Sequence, residues 1–181
     1  MNTKIRFFTL FLSLLFSVSV FASCKKNTET EVKEIPKASF SAESKMFKRE
    51  GLSIIMDANF EYELSSYCTI SASNGDLTFE AFYFEKYYFL EKDKSIQTPT
   101  DALAFVNKDK TVAKNDLGLP FVEYTKDGSD GAEYTFYYVC VADAERYWMC
   151  TFFAPTESFE GYRAHIMDYL DTIDAVYEEA E

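Results

Sequence analysis

Histidine, tryptophan, proline and glycine are scarce in this chain: one, one, four and six among 181 residues. A single histidine, His165, cannot build the two- or three-histidine sites of catalytic zinc. Nor does the sequence carry a GxSxG, HExxH or CxxC motif, a P-loop or a dinucleotide glycine pattern. The usual constellations for nucleophilic, metal-assisted and nucleotide chemistry are therefore missing, and the chain reads as non-enzymatic, with no metal and no cofactor. Basic residues are also short, 18 against 30 acidic ones, for a net charge of −12. Such a field repels nucleic acid, which is excluded as a partner. Finally, no apolar run reaches the roughly 20 residues of a membrane-spanning helix.

What is present begins with Lys4 and Arg6, followed by an apolar run from Phe7 to Phe21 and the small residues Ala22 and Ser23. That order is a secretory signal. Cys24 directly after it resembles the lipobox of bacterial lipoproteins. The resemblance implies cleavage before Cys24, with residues 1–23 removed and Cys24 acylated. Several acyl chains anchor a protein firmly where one does not. The expected localisation is the bacterial cell envelope, with the domain lipid-anchored to a membrane and lying in the periplasm or outside the cell. A plain signal peptide cut near Ala22 is the alternative.

Residues 24–46 are polar, mixed in charge and without apolar periodicity, so they are expected to form a flexible tether. The domain is expected over 47–181. Leu52, Ile54 and Met56 alternate with more polar neighbours, which predicts a first strand. Tyr67–Ala72 and Leu77–Phe84 predict the second and third. Asn74-Gly75 between them predicts a type I′ hairpin turn. The third strand runs into the densest aromatic stretch of the chain. Its Phe82, Phe84, Tyr87 and Tyr88 are the candidate surface for a partner, or the lining of a pocket for a small ligand.

Thr98-Pro99-Thr100-Asp101 is a helix start, with a threonine cap, proline at the first position and an acid three residues on. Phe121–Thr125 predicts a fourth strand, and 126–131, KDGSDG, a turn. Asp127, Ser129 and Asp130 do not have calcium-loop spacing. Glu133–Val141 and Tyr147–Phe153 predict a hairpin. Phe159, Tyr162, Ile166, Tyr169, Leu170, Ile173 and Val176 then follow at spacings of three or four, an amphipathic helix capped by Thr156 or Ser158. His165 lies one place off that apolar stripe, flanked by Asp168 and Asp171 on a solvated face.

The element order predicts an α+β fold, a three-layer α/β/α sandwich with a mainly antiparallel sheet of about six strands and two main helices. The stretches GLSIIMDANFEY at 51–62 and YWMCTFFAPTESFEGYRAHIMDYLDTI at 147–173 resemble the PsbP-like family, which includes photosystem II extrinsic proteins and bacterial envelope lipoproteins. That resemblance implies docking to larger assemblies.

In an exported domain disulfides are permitted. A three-residue loop at 144–146 sets Cys140 opposite Cys150, and a bridge between them is one expectation. Three buried free thiols are the other, with Cys68 unpaired in either case. Together these features describe a membrane-anchored binding or adaptor module for an envelope protein, with a small-ligand carrier as the alternative.

Overall fold

The computed structural model describes residues 41–177. Residues 1–40, which hold the expected signal sequence and Cys24, and residues 178–181 lie outside the described residues. In chain order the elements are β1 (Ser44–Arg49), β2 (Leu52–Asp57), β3 (Glu61–Tyr62), β4 (Ile70–Ser73), β5 (Thr78–Glu85), α1 (Lys86–Lys92), α2 (Pro99–Val106), β6 (Ala113–Lys114), β7 (Pro120–Asp127), β8 (Glu133–Ala142), β9 (Arg146–Pro155), α3 (Thr156–Asp171) and β10 (Asp174–Ala175). They form a seven-stranded sheet in the order β3-β4-β5-β9-β8-β7-β6 and a three-stranded sheet in the order β1-β2-β10. Every pairing is antiparallel. The fold is α+β, as the element order predicts.

Both faces of the large sheet are apolar because its central strands alternate two kinds of core residue rather than core and solvent. Even positions of β9, Trp148, Cys150 and Phe152, join Phe79 and Ala81 of β5 and Val139 of β8 in one core, roofed by α3 and the small sheet. Odd positions, Tyr147 and Met149, join Cys140, Phe89, Ala102 and Leu103 in a second core, roofed by α1 and α2. The layers are therefore α3 with the small sheet, the large sheet, and α1 with α2. At roughly 1.5–3 kcal/mol for each large apolar side chain buried, the wholly buried Phe79, Phe152, Trp148 and Leu52 dominate the cohesion of the first core.

The β8–β9 hairpin corrects one expectation. Val139 faces Cys150 and Cys140 faces Met149, one residue away from the register that a three-residue loop imposes. The loop instead closes through Asp143, whose amide donates to the Arg146 carbonyl at 3.1 Å. Its carboxylate also accepts from the amides of Glu145 and Arg146. A one-residue slip turns side chains to opposite faces, so Cys140 sits in one core and Cys150 in the other. Both thiols are free, as is that of Cys68, and the Cys140–Cys150 bridge does not form.

Other boundaries move for local reasons. β1 begins at Ser44, inside the stretch assigned to the tether, and pairs along its length with β2. Phe47 is its one buried residue, which leaves no alternation for a sequence pattern to register. The turn with two positive φ angles is Glu50-Gly51, at 51° and 89°, joining β1 to β2. Asn74-Gly75 sits in a four-residue loop between Ser73 and Thr78, where the Asn74 side chain accepts from the amides of Asp76 and Leu77. The last helix ends at Asp171. Ile173 and Val176 lie beyond it, where the chain turns to pair β10 with β2. Pro155, rather than Thr156 or Ser158, occupies the N-cap, and the Ser158 hydroxyl donates to the Pro155 carbonyl.

Candidate partner-binding surface

Phe82 and Phe84 project from β5 towards the helical layer, both half-buried against the second core. The chain then turns into α1, a seven-residue helix that the aromatic run conceals because tyrosine and phenylalanine are enriched in strands. Two anchors fix the entry to α1. The Lys86 amide donates to the Glu145 carbonyl, and its Nζ donates to the carbonyls of Asp143 and Ala144 at 2.6 and 2.9 Å.

The four sequence-predicted aromatics are brought together on this layer, but unequally. Phe82 and Phe84 meet edge to face at 5.5 Å, and Tyr88 stacks on Phe84 at 5.5 Å with planes 16° apart. Phe89 lies beneath, wholly buried, touching Phe84, Tyr88, Phe105 and Tyr147. Tyr87 and Tyr88 are the outward pair, 64% and 38% exposed, and Leu90 and Val106 extend the apolar area. The Nζ of Lys92 lies over the Tyr88 ring at 5.5 Å and that of Lys108 over the Phe105 ring at 4.9 Å. The surface is thus an aromatic patch rimmed by cations in an acidic chain. The sequence pattern passed over Leu90, which follows the run on α1, and missed Phe105 and Val106 of α2, which join it through the Phe89–Phe105 ring contact at 5.8 Å.

Two clefts lie elsewhere, and none of the four aromatics lines either. One, of about 760 Å³, runs along the start of α2 and the ends of β7 and β8, lined among others by Thr100, Asp101, Lys114, Leu119, Cys140 and Val141. Burial alone pushes the Cys140 thiol up to about 12, so it is a neutral, apolar part of that wall at physiological pH. The predicted cap is present here: the Thr98 side chain accepts from the Asp101 amide and the Asp101 carboxylate from the Thr98 amide. The second cleft, about 410 Å³, is lined by Tyr124, Thr135, Phe159 and Arg163. Two N–H···O bonds of 2.8 and 3.0 Å join Arg163 to Glu123, and a third of 2.9 Å joins it to Glu160. Its charge is neutralised on the protein.

His165 is half-buried on α3, 6.3 Å from the Tyr169 ring, with Asp168 and Asp171 exposed nearby. In the 126–131 turn the Asp130 carboxylate accepts from the Ala132 amide and the Tyr134 hydroxyl. No group of three or more metal-ligating side chains occurs among the described residues. Likewise, none of their helices is long and apolar enough to cross a membrane.

No family model and no curated protein matches this chain. Among solved structures it is similar to a crystal structure, at 1.50 Å resolution, of a protein from Bacteroides thetaiotaomicron VPI-5482. The TM-score is 0.53 and the identity 16%, over 77% of this chain and 50% of that one. This chain therefore spans about half the length of that neighbour, and at such identity the likeness shows the fold alone.

Proposed function

We propose that this protein is a lipid-anchored component of the bacterial cell envelope, held at Cys24, whose α+β domain is a non-enzymatic docking module for an envelope protein. The observation that carries the docking part is the exposed pair Tyr87 and Tyr88 on the helical layer, where Leu90 of α1 and Val106 of α2 are exposed as well. Large aromatics exposed together mark interaction sites, and tyrosine supplies contact area at low conformational-entropy cost. The lysines over Tyr88 and Phe105 suit an acidic partner edge and disfavour a basic one. The PsbP-like resemblance of 51–62 and 147–173 supports docking to a larger assembly, and the lipobox-like Phe21-Ala22-Ser23-Cys24 supports the anchor.

Chemical crosslinking of intact membranes followed by affinity purification tests this reading, comparing the native chain with Tyr87→Ser/Tyr88→Ser. A protein captured stoichiometrically by the native chain and lost from the double variant is the expected result. Equal capture by both sinks the assigned surface. A small molecule co-purifying in native mass spectrometry, with no protein partner, favours the carrier reading instead. The 760 Å³ cleft beside α2 is its site, within the 300–1,000 Å³ usual for ligand pockets.

A further inference from the structure

Three of the exposed large apolar side chains lie along one edge of the domain, away from the helical layer: Tyr62 on β3, and Leu64 and Tyr67 on the loop leading to β4. Leu64 is fully exposed and Tyr67 is 90% exposed. The edge is one surface. The Tyr62 ring packs on Phe47 of β1 at 4.8 Å, its hydroxyl accepts from the Lys48 amide at 3.1 Å, and Arg49 reaches the Thr69 carbonyl at 3.3 Å. The loop is held in shape as well, because the Ser65 hydroxyl accepts from the amides of both Tyr67 and Cys68.

We propose that this edge rests in the interfacial layer of the bilayer that carries the anchor, with Leu64 inserted among the acyl chains and Tyr62 and Tyr67 at headgroup level. The inference rests on the lipid-anchor reading. Three observations favour a lipid surface over a protein there. The side chains at the tip are bare, whereas folded domains cover such groups or use them. Leucine flanked by tyrosines is the composition of membrane–water interfaces. And β1, which flanks this edge, begins at Ser44, 20 positions after Cys24 (44 − 24): a chain of that length spans at most about 70 Å, so the anchor keeps this edge within reach of the bilayer.

Charge sets the type of surface. Lys45 pairs with Glu61 at 3.4 Å and Arg49 lies 4.0 Å from Glu50, and the same stretches of sequence add Lys48 against Glu43 and Glu63 in the charge balance. The edge is nearly neutral in a chain carrying −12, so it suits zwitterionic headgroups, and its attachment is apolar and insensitive to salt.

The test places a tryptophan at the tip. The one native tryptophan, Trp148, is wholly buried and supplies a constant background. The lipid-modified chain carrying Leu64→Trp is reconstituted in phosphatidylcholine vesicles containing acyl-brominated lipid. A matched chain carries Leu90→Trp on α1, in the opposite layer. The expected outcome is that both chains float with the vesicles, that the Leu64→Trp chain loses most of its added emission to the bromines at low and high salt, and that the Leu90→Trp chain keeps its own. Flotation of the Leu64→Trp chain with its added indole unquenched overturns the proposal and leaves the anchor standing. If that indole is shielded from an aqueous quencher only in native membranes, a protein occupies the edge, and the proposal is also wrong. Failure to float refutes the anchor reading, and the proposal falls with it.

Discussion

Asp143 and Arg146 form a buried ion pair of 2.8 Å, their side chains 1% and 5% exposed, inside the turn that joins β8 to β9. The guanidinium lies between the rings of Tyr83, Trp148 and Tyr177 at 4.9, 5.0 and 5.1 Å. It also donates to the Val176 carbonyl at 3.3 Å, while the Trp148 indole donates to Asp143 at 3.0 Å. One pair thus joins the hairpin, the first core and the segment after β10.

Removing one partner strands the other charge, so Asp143→Ala is expected to cost about 3–5 kcal/mol. Asp143→Asn keeps the shape and is expected to cost less. Burial works against the Asp143 carboxylate, but the hydrogen bonds from Trp148, from the amides of Glu145 and Arg146 and from the guanidinium outweigh it and hold the group below its usual range. A carboxylate held low in the folded state contributes stability at and above its ordinary pKa of about 3.9 and loses it as pH falls further. Urea titrations at pH 7, 4 and 3 should show an acid-dependent loss in the native chain that is smaller in Asp143→Asn.

Thiol reactivity distinguishes the register seen here from a bridged one. A disulfide reagent should modify Cys68 alone in the folded domain, and slowly, because burial above all raises that thiol. Cys140 and Cys150, both wholly buried, should react only on unfolding, giving three domain thiols in denaturant without reductant. Finding only one would restore the bridge.

The Glu50-Gly51 turn predicts two opposite effects. At Gly51 a Cβ would strike the Val176 carbonyl, whose residue donates its amide to the Gly51 carbonyl at 2.8 Å. Gly51→Ala should therefore combine strain at positive φ with displacement of the last strand, for a loss of about 1–3 kcal/mol or more, and early proteolysis after Asp171. Gly75→Ala, also at positive φ but with open space around it, should lose only about 1–2 kcal/mol. Glu50→Asn should gain up to about 1 kcal/mol, since asparagine accepts left-handed backbone more readily. Equal losses at the two glycines in thermal denaturation would refute the steric part.

Alkali should unfold the domain through its tyrosines. Burial first, then the Asp76 carboxylate and its hydrogen bond, push Tyr162 up to about 12. Burial and Asp57 raise Tyr169 as well. A group raised in the folded state stabilises below its ordinary pKa, about 10 for tyrosine, and loses that contribution as pH rises through the folded value. Stability should fall from about pH 10 upward, and Tyr162→Phe should flatten the fall in a guanidinium series.

Thr98→Ala removes the oxygen that accepts the Asp101 amide and should cost about 1 kcal/mol. Thr98→Ser should restore it, as read by thermal melting.

How much of this was legible in the sequence depended on whether the signal was local. The α2 cap, the β8–β9 hairpin and the apolar stripe of α3 follow from residues a few positions apart. β1 was hidden because Phe47 alone points inward, and α1 because Tyr87, Tyr88 and Phe89 favour a strand by propensity. The cysteine register failed by one position because Asp143 folds back on the turn through its side chain, a choice that residue spacing does not express. At the candidate surface Tyr87 and Tyr88 could be picked out by density. Phe105 and Val106 could not, since only tertiary packing makes them neighbours of the run. The edge bearing Leu64 and Tyr67 carried no periodicity, and only its exposure after folding sets it apart.

The seven-stranded sheet ends at both sides in strands of two residues, Glu61–Tyr62 and Ala113–Lys114. A protein crowded into two dimensions meets copies of itself far more often than one free in solution, and every long open strand is then a template for polymerisation. Two-residue borders give an incoming strand almost nothing to pair with. The longer border at β1 carries Lys45, Lys48 and Arg49, and its Lys48 amide is already taken by Tyr62. On the lipid-anchored reading proposed above, these borders would keep copies held on one membrane from adding to one another's sheets.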